Sequence, residues 1–131
     1  MTIKRIMPLL NSDKLEALKA FYTTHLGFEV TFDGKGYLGL KSPDEPHAEI
    51  GFMKPCSEES VAAGGQCRLC LEVDDVDGEY ARLSKLDLAD EPPKDNPWGD
   101  RAFEIVDPGG FKLYIYKPIP PSAEYAAYVK E

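Results

Sequence analysis

Cysteine and histidine are scarce in this chain, and long apolar runs are missing. The 131 residues include three cysteines and two histidines. An odd number of cysteines argues against a disulfide framework, and no stretch approaches the roughly 20 apolar residues that span a bilayer. The first residues also lack the apolar core of a signal peptide. We therefore expect a soluble, cytoplasmic protein that does not bind membranes.

Basic residues are also fewer than acidic residues. The chain carries 15 Lys and Arg against 23 Asp and Glu, for a formal net charge of −8. A field of this sign repels phosphate backbones, which argues against a nucleic-acid partner. It attracts cationic ligands, although acidity also keeps a protein soluble without any ligand.

Two of the cysteines, Cys67 and Cys70, have the C-x-x-C spacing of zinc and redox sites. The segment around them has the pattern of a β-strand, in which positions i and i+3 point to opposite faces. A zinc knuckle also needs a turn and a second pair of ligands. We therefore predict ordinary buried thiols.

The first half of the chain has the pattern of a strand, a helix and three further strands. The predicted first strand covers residues 4–10. Asp13 and Glu16 have capping-box spacing at the start of the helix, and Gly27 supplies its C-terminal stop. The following strands are expected at residues 28–32, 37–41 and 48–53.

The same order of elements returns about 60 residues later, after a predicted linker at residues 57–66. A strand at 68–73 precedes a helix that Asp74 or Asp75 would cap. A weak strand at 88–90, a loop at 91–99 and strands at 101–106 and 111–116 follow. Such a repeat predicts one α+β domain over residues 1–131, with halves at 3–55 and 66–118 and a tail at 119–131.

Several segments in this order resemble the vicinal oxygen chelate superfamily, which contains glyoxalases, ring-cleaving dioxygenases and bleomycin-resistance proteins. They are KLEALKAFY at 14–22, LGFEV at 26–30, LEVDDV at 71–76 and DPGG at 107–110. The segment PWG at 97–99 looks most like the bleomycin-resistance branch. The resemblance implies two βαβββ units whose curved mixed sheet forms a cup, with the helices outside.

The resemblance also implies where a metal would bind, because metal-dependent members place one ligand on each of four strands. The matching positions here are Pro8, Glu49, Arg68 and Tyr114. Only Glu49 is a good ligand, since proline has no donor, arginine is a fixed cation and a phenol with a pKa near 10 coordinates poorly. We expect a cup without metal or other cofactor. The alternative is a lyase or dioxygenase that holds one divalent metal ion through Glu49 and His47.

Two interpretations of Arg68, Tyr114 and Glu49 remain open. In the first, Arg68 and Tyr114 donate hydrogen bonds to a polar group of a ligand, and Glu49 orients Arg68. In the second, Arg68 and Glu49 form a buried ion pair, bonded to Tyr114, that needs no ligand.

The only tryptophan, Trp98, lies in a proline-rich loop and offers a flat ligand platform. Tyr37 and Phe52 are expected to add aromatic surface. The alternative is that Trp98 only seals its loop against the sheet. The resemblance implies that Trp98 lines a drug-binding groove. We therefore predict a non-enzymatic protein of the antibiotic-resistance type, a homodimer that sequesters a small aromatic or cationic molecule. Whether the halves pair within one chain or exchange across a dimer is left open.

Overall fold

A computed structural model describes residues 1–2, 4–45, 47–55 and 67–129. Its elements repeat the order βαβββ and then end in a short helix. They are β1 Leu9–Asn11, α1 Leu15–Leu26, β2 Glu29–Gly34, β3 Tyr37–Lys41, β4 Glu49–Met53, β5 Arg68–Glu72, α2 Val76–Lys85, β6 Lys94–Asn96, β7 Asp100–Val106, β8 Lys112–Pro118 and α3 Ala123–Ala126. The predicted α+β class is confirmed.

The chain forms two compact units. The first unit contains Met1–Cys67 together with Asp107–Phe111, the turn between β7 and β8. The second unit contains Arg68–Val106 and Lys112–Glu131. None of the helices in the described ranges has the length and apolarity that crossing a membrane requires.

The first unit is built on a four-stranded sheet in the order β1-β4-β3-β2. Strand β1 runs parallel to β4, and the other neighbours are antiparallel. A two-residue turn joins β2 to β3, and its residues Lys35 and Gly36 both have positive φ, at 54° and 75°. That geometry matches the twist of a hairpin and lets both strands run up to the turn.

The core of the first unit lies between its sheet and α1. Leu18 and Tyr22 of the helix and Leu38 and Phe52 of the sheet are at most 1% exposed. Gly27 ends the helix in the left-handed conformation, with a φ of 73°, as its position predicted.

The second unit repeats this plan in the order β5-β8-β7-β6, with β5 parallel to β8. Val76 and Leu83 of α2 are buried, as are Phe103 and Leu113 of the sheet. The edge strand β6 is shorter than its counterpart β2 in the first unit: β6 has three residues and β2 has six.

Several predicted boundaries are wrong. The first strand starts at Leu9, and β6 lies inside the predicted loop, while residues 88–90 form no strand. The capping box is also wrong: α1 has Lys14 as its N-cap and no side-chain cap. Instead, the buried Ser12 hydroxyl accepts a hydrogen bond of 3.1 Å from the Lys14 N–H. The predicted linker at 57–66 lies outside the described residues.

Candidate ligand-binding groove

A groove of about 620 Å³ runs beside β7 in the second unit. The loop that follows α2 forms one wall, and β7 with the loop around Trp98 forms the other. Its lining residues are Asp87, Leu88, Asp90, Glu91, Pro92, Lys94, Asn96, Trp98, Ala102, Phe103, Glu104, Ile105, Val106 and Tyr114. The volume falls within the range of about 300–1,000 Å³ typical of small-molecule sites.

Trp98 lines this groove and is held by hydrogen bonds. Its indole Nε1 donates to Oδ2 of Asp100 at 2.9 Å and to the Tyr114 hydroxyl at 3.3 Å. The Asn96 amide donates to Asp100 at 2.9 Å and to Tyr114 at 3.2 Å. The side chain of Trp98 is nevertheless 51% exposed. Its polar edge is therefore fixed while much of its surface stays open to a ligand.

The carboxylate of Asp100 is the centre of this cluster. Besides Asn96 and Trp98, it accepts a hydrogen bond of 2.8 Å from the Tyr114 hydroxyl. Burial raises the pKa of Tyr114, and the hydrogen bond to Asp100 raises it further. The phenol therefore keeps its proton at neutral pH and directs it to Asp100. The expected role of Tyr114 as a donor to a ligand requires that this internal bond be exchanged.

The charged residues that line the groove are mainly acidic. Asp87, Asp90, Glu91 and Glu104 line it together with one cation, Lys94. Four carboxylates and one ammonium leave three net negative charges. Clefts lined by one sign of charge concentrate ligands of the opposite sign.

Arg68 and Glu49 have other partners than the sequence suggested. Glu49 accepts two hydrogen bonds from the guanidinium of Arg5, through its Nε and Nη2. Arg68, on β5, pairs with Glu104, on β7, and β8 lies between these two strands. The predicted Arg68–Glu49 pair is thus wrong and is replaced by two pairs, one in each unit. The Arg68 side chain is also 50% exposed, so the predicted burial of this ion pair is wrong as well.

The two further aromatic candidates have different environments. Tyr37 is half-buried, and its ring packs edge-on against that of Phe32, with 5.5 Å between the ring centroids. Phe52 is fully buried, with its ring 5.4 Å from Tyr22 and 5.8 Å from Phe111. The prediction that Phe52 provides ligand-binding surface is therefore wrong. Alternation along β4 places it on the helix side of the sheet.

The side chains at the expected metal positions do not fit a metal ion. The Glu49 carboxylate is hydrogen-bonded to Arg5, and the Tyr114 hydroxyl donates to Asp100. Arg68 is a cation that pairs with Glu104. His47 lies exposed in the turn before β4. Within residues 1–2, 4–45, 47–55 and 67–129, no group of three or more His, Cys, Asp and Glu side chains is arranged to hold a metal ion.

Cys67 and Cys70 are both free thiols. Cys67 is half-buried, and burial raises the pKa of its thiol. Cys70 lies exposed on β5, so the prediction of a buried thiol is wrong there. Cys56 lies outside the described residues.

Trp98 and Tyr114, both candidates from the sequence, line the groove, but the sequence analysis did not identify the residues that connect them. Asn96 and Asp100 lie two residues on either side of Trp98; Asn96 falls within the predicted loop at 91–99, and Asp100 falls between that loop and the predicted strand at 101–106. The missed signal was β6: once Asn96 pairs with Asp100 across a hairpin, their side chains lie on one face with Trp98 between them.

The family profile described as "Glyoxalase/Bleomycin resistance protein/Dioxygenase superfamily" matches residues 2–115. The chain belongs to this superfamily. No curated protein matches the sequence of this superfamily member.

Solved structures share the fold over nearly the whole chain. TnmS3, an antibiotic binding protein from Streptomyces sp. CB03234, is 27% identical over 90% of this chain and 98% of its own, with a TM-score of 0.76. A lactoylglutathione lyase from Agrobacterium tumefaciens is 24% identical over 88% and 95%, with a TM-score of 0.70. A bleomycin resistance determinant encoded on the transposon Tn5 is 22% identical over 88% and 98%, with a TM-score of 0.70. The last two likenesses show the fold alone.

Proposed function

We propose that this superfamily member binds and sequesters a small aromatic or cationic molecule without altering it chemically. The observation that carries the proposal is the half-exposed indole of Trp98, fixed at its polar edge by Asp100. A rigid aromatic surface binds flat ligands at a small cost in conformational entropy. The likeness to the antibiotic binding protein TnmS3 supports an antibiotic as the ligand.

The charge of the groove supports a positively charged ligand. Four of its lining residues are acidic, and Glu104 is the one that Arg68 partly neutralises. A cation placed over the indole face would also gain cation–π attraction, which is worth about 0.5–2 kcal/mol. Stacking and charge together favour an aromatic cation over a neutral or anionic ligand.

The superfamily also contains enzymes, and a metal-dependent glyoxalase or dioxygenase is the alternative. The four candidate positions argue against it, since Glu49 alone has a suitable donor and Arg5 occupies it. Elemental analysis of the purified protein separates the two functions. One tightly bound divalent ion per chain that is lost in Glu49→Ala, together with formation of S-lactoylglutathione, would establish the enzyme.

Bleomycin, with and without bound copper, is the first probe of the sequestering function. Because Trp98 is the only tryptophan, all indole emission reports on this groove. We expect the emission to change on titration. The dissociation constant, measured by calorimetry, should rise about 30-fold in Trp98→Ala, because truncating a central aromatic contact typically costs about 2 kcal/mol.

The matched control is Tyr128→Ala, which removes another exposed aromatic side chain that does not line the groove. It should leave the affinity unchanged. Emission that does not respond to either form of bleomycin would exclude that ligand. Tight binding that survives Trp98→Ala would exclude the groove.

We also propose that the protein acts as a cytoplasmic homodimer. Exposed apolar side chains in the first unit support self-association, among them Ile6 at 77% and Phe32 at 51% exposure. Light scattering across a concentration series tests this, and a monomeric mass at every concentration would contradict it.

A further inference from the structure

The outer edge of β7 is only partly covered. Strand β7 has seven residues, whereas β6 pairs with it only at Asp100, Arg101 and Ala102. Among the described residues, no strand pairs with the remaining outer edge, from Phe103 to Val106.

The direction of the backbone groups on β7 follows from hydrogen bonds at its two ends. The Asp107 N–H donates to the Phe111 carbonyl, and the Ile119 N–H donates to the Gly99 carbonyl, each at 2.9 Å. The register with β8 is continuous between these points. Because backbone groups alternate along an antiparallel strand, the odd-numbered residues of β7 face β8 and the even-numbered residues face outward.

Ala102 therefore directs its N–H and carbonyl toward β6, but Glu104 and Val106 direct theirs past the end of β6. Within the described part of the chain, neither N–H has a hydrogen-bond acceptor, because the pairing of β6 ends at Ala102 and β8 lies on the other side of β7. Both residues are exposed, and both line the groove. This edge thus offers two donors and two acceptors in the spacing of a β-ladder.

The surroundings of the edge select the partner. Asp87, Asp90 and Glu91 line the groove beside it, while the carboxylate of Glu104 is paired with Arg68 across β8. An incoming strand with basic side chains would meet opposite charge, whereas an acidic strand would be repelled. Glu104 and Val106 line the same groove as Trp98 but at other positions, because at about 3.3 Å per residue they lie roughly 13 and 20 Å along the strand from Asp100, which binds the indole.

We propose that the outer edge of β7 binds a short, extended, basic peptide segment of another protein as an added strand. The main-chain groups of Glu104 and Val106 supply the hydrogen bonds, and the acidic lining supplies the preference for basic side chains. Strand addition to an exposed edge is a common mode of peptide recognition.

Amide hydrogen exchange on isotopically labelled protein tests the edge directly. In the free protein, the amides of Glu104 and Val106 should exchange rapidly, while those of Phe103 and Ile105, bonded to β8, should exchange slowly. An acetylated hexapeptide of alternating lysine and valine should slow exchange at Glu104 and Val106 by about tenfold or more.

Two modified peptides separate main-chain pairing from charge alone. N-methylation of alternate peptide amides should weaken binding about tenfold or more, because two hydrogen bonds are lost. Replacing the lysines with glutamates should abolish binding. Full affinity of the N-methylated peptide would show that only its charges are recognised and would overturn the proposal.

A matched pair of variants completes the test. Val106→Pro removes the outward N–H at the end of β7 without removing a bond to β8, and should weaken peptide binding about fivefold or more. Val106→Thr keeps the N–H and the branched shape and should bind as the wild type does. Absence of peptide binding at millimolar concentration would overturn the proposal. So would protection of both amides that grows with protein concentration, since a second copy would then cover the edge. Neither result affects the small-molecule proposal, which rests on Trp98.

Discussion

The two units repeat one plan but end their sheets differently. In the first unit, β2 pairs with every residue of β3, from Tyr37 to Lys41. In the second unit, the equivalent strand β6 covers fewer than half of the seven residues of β7. The uncovered part of β7 lines the groove.

The loops explain this difference. The positive φ angles of Lys35 and Gly36 allow a tight turn, so β2 and β3 pair from the turn onward. In the second unit, Pro93 and Pro97 flank β6 directly, and proline has no N–H to contribute to a ladder. Two similar units can thus share a strand order, while among the described residues only the second leaves part of its next-to-edge strand, β7, uncovered.

Phe52→Ala, in the core of the first unit, gives the largest expected effect. The Phe52 ring packs between Tyr22 and Phe111 with no exposed surface. Its removal should lower the free energy of unfolding by about 3–5 kcal/mol, because the cavity is enclosed by rigid rings. Urea denaturation measures this loss.

Phe32→Ala is the matched control, since it deletes the same ring in the same unit where 51% of the side chain is exposed. It should lower the free energy of unfolding by about 1 kcal/mol, because only the edge-on contact with Tyr37 is lost. Equal losses in the two variants would contradict the assignment of Phe52 to the core.

A buried hydrogen bond gives the next largest effect. The Tyr22 hydroxyl donates to Oδ2 of Asp107 at 2.8 Å within the first unit. Burial raises the pKa of Tyr22, so the hydroxyl keeps its proton. Tyr22→Phe should cost about 1–3 kcal/mol at neutral pH, because it leaves a buried carboxylate with one donor fewer.

The pH dependence of this loss has a definite sign. Burial raises the pKa of Asp107 above 3.8, while Tyr22 and the Phe111 N–H oppose the rise. A carboxyl group whose pKa is higher in the folded state favours folding at acid pH and loses that contribution as the pH rises. Tyr22→Phe removes an opposing donor, so its destabilisation should be greater near pH 7 than near pH 4.

Tyr80→Phe is the control in the second unit. The Tyr80 hydroxyl donates to the Asp90 carbonyl at 3.1 Å in an exposed position, where water can replace it. Its removal should cost about 0.5 kcal/mol or less at either pH. A loss as large as that of Tyr22→Phe would show that the two hydroxyl groups are equivalent.

The repeat, the α+β class and the helix cores followed from periodicity, because burial enforces a regular pattern of apolar residues. The ion-pair partners could not be predicted from the sequence. Strand alternation predicts the face of the sheet on which Glu49 or Arg68 lies, but not which charged side chain contacts it. The partners proved to be Arg5, which precedes β1, and Glu104, across β8. The Asp100 cluster was missed because β6 is too short to carry a periodic signal.

The starts of the two helices give the smallest predicted effect. Asp75 caps α2, and its carboxylate accepts a hydrogen bond of 3.0 Å from the Gly78 N–H. Asp75→Ala should therefore cost about 1 kcal/mol, the usual contribution of an N-cap. Asp13→Ala, two residues before the start of α1, should cost about 0.5 kcal/mol or less, because Lys14 is the N-cap there and no side chain caps the helix. Urea denaturation of both variants measures the difference. A larger loss at Asp13 would restore the capping box that its sequence spacing suggested and remove this asymmetry between the units.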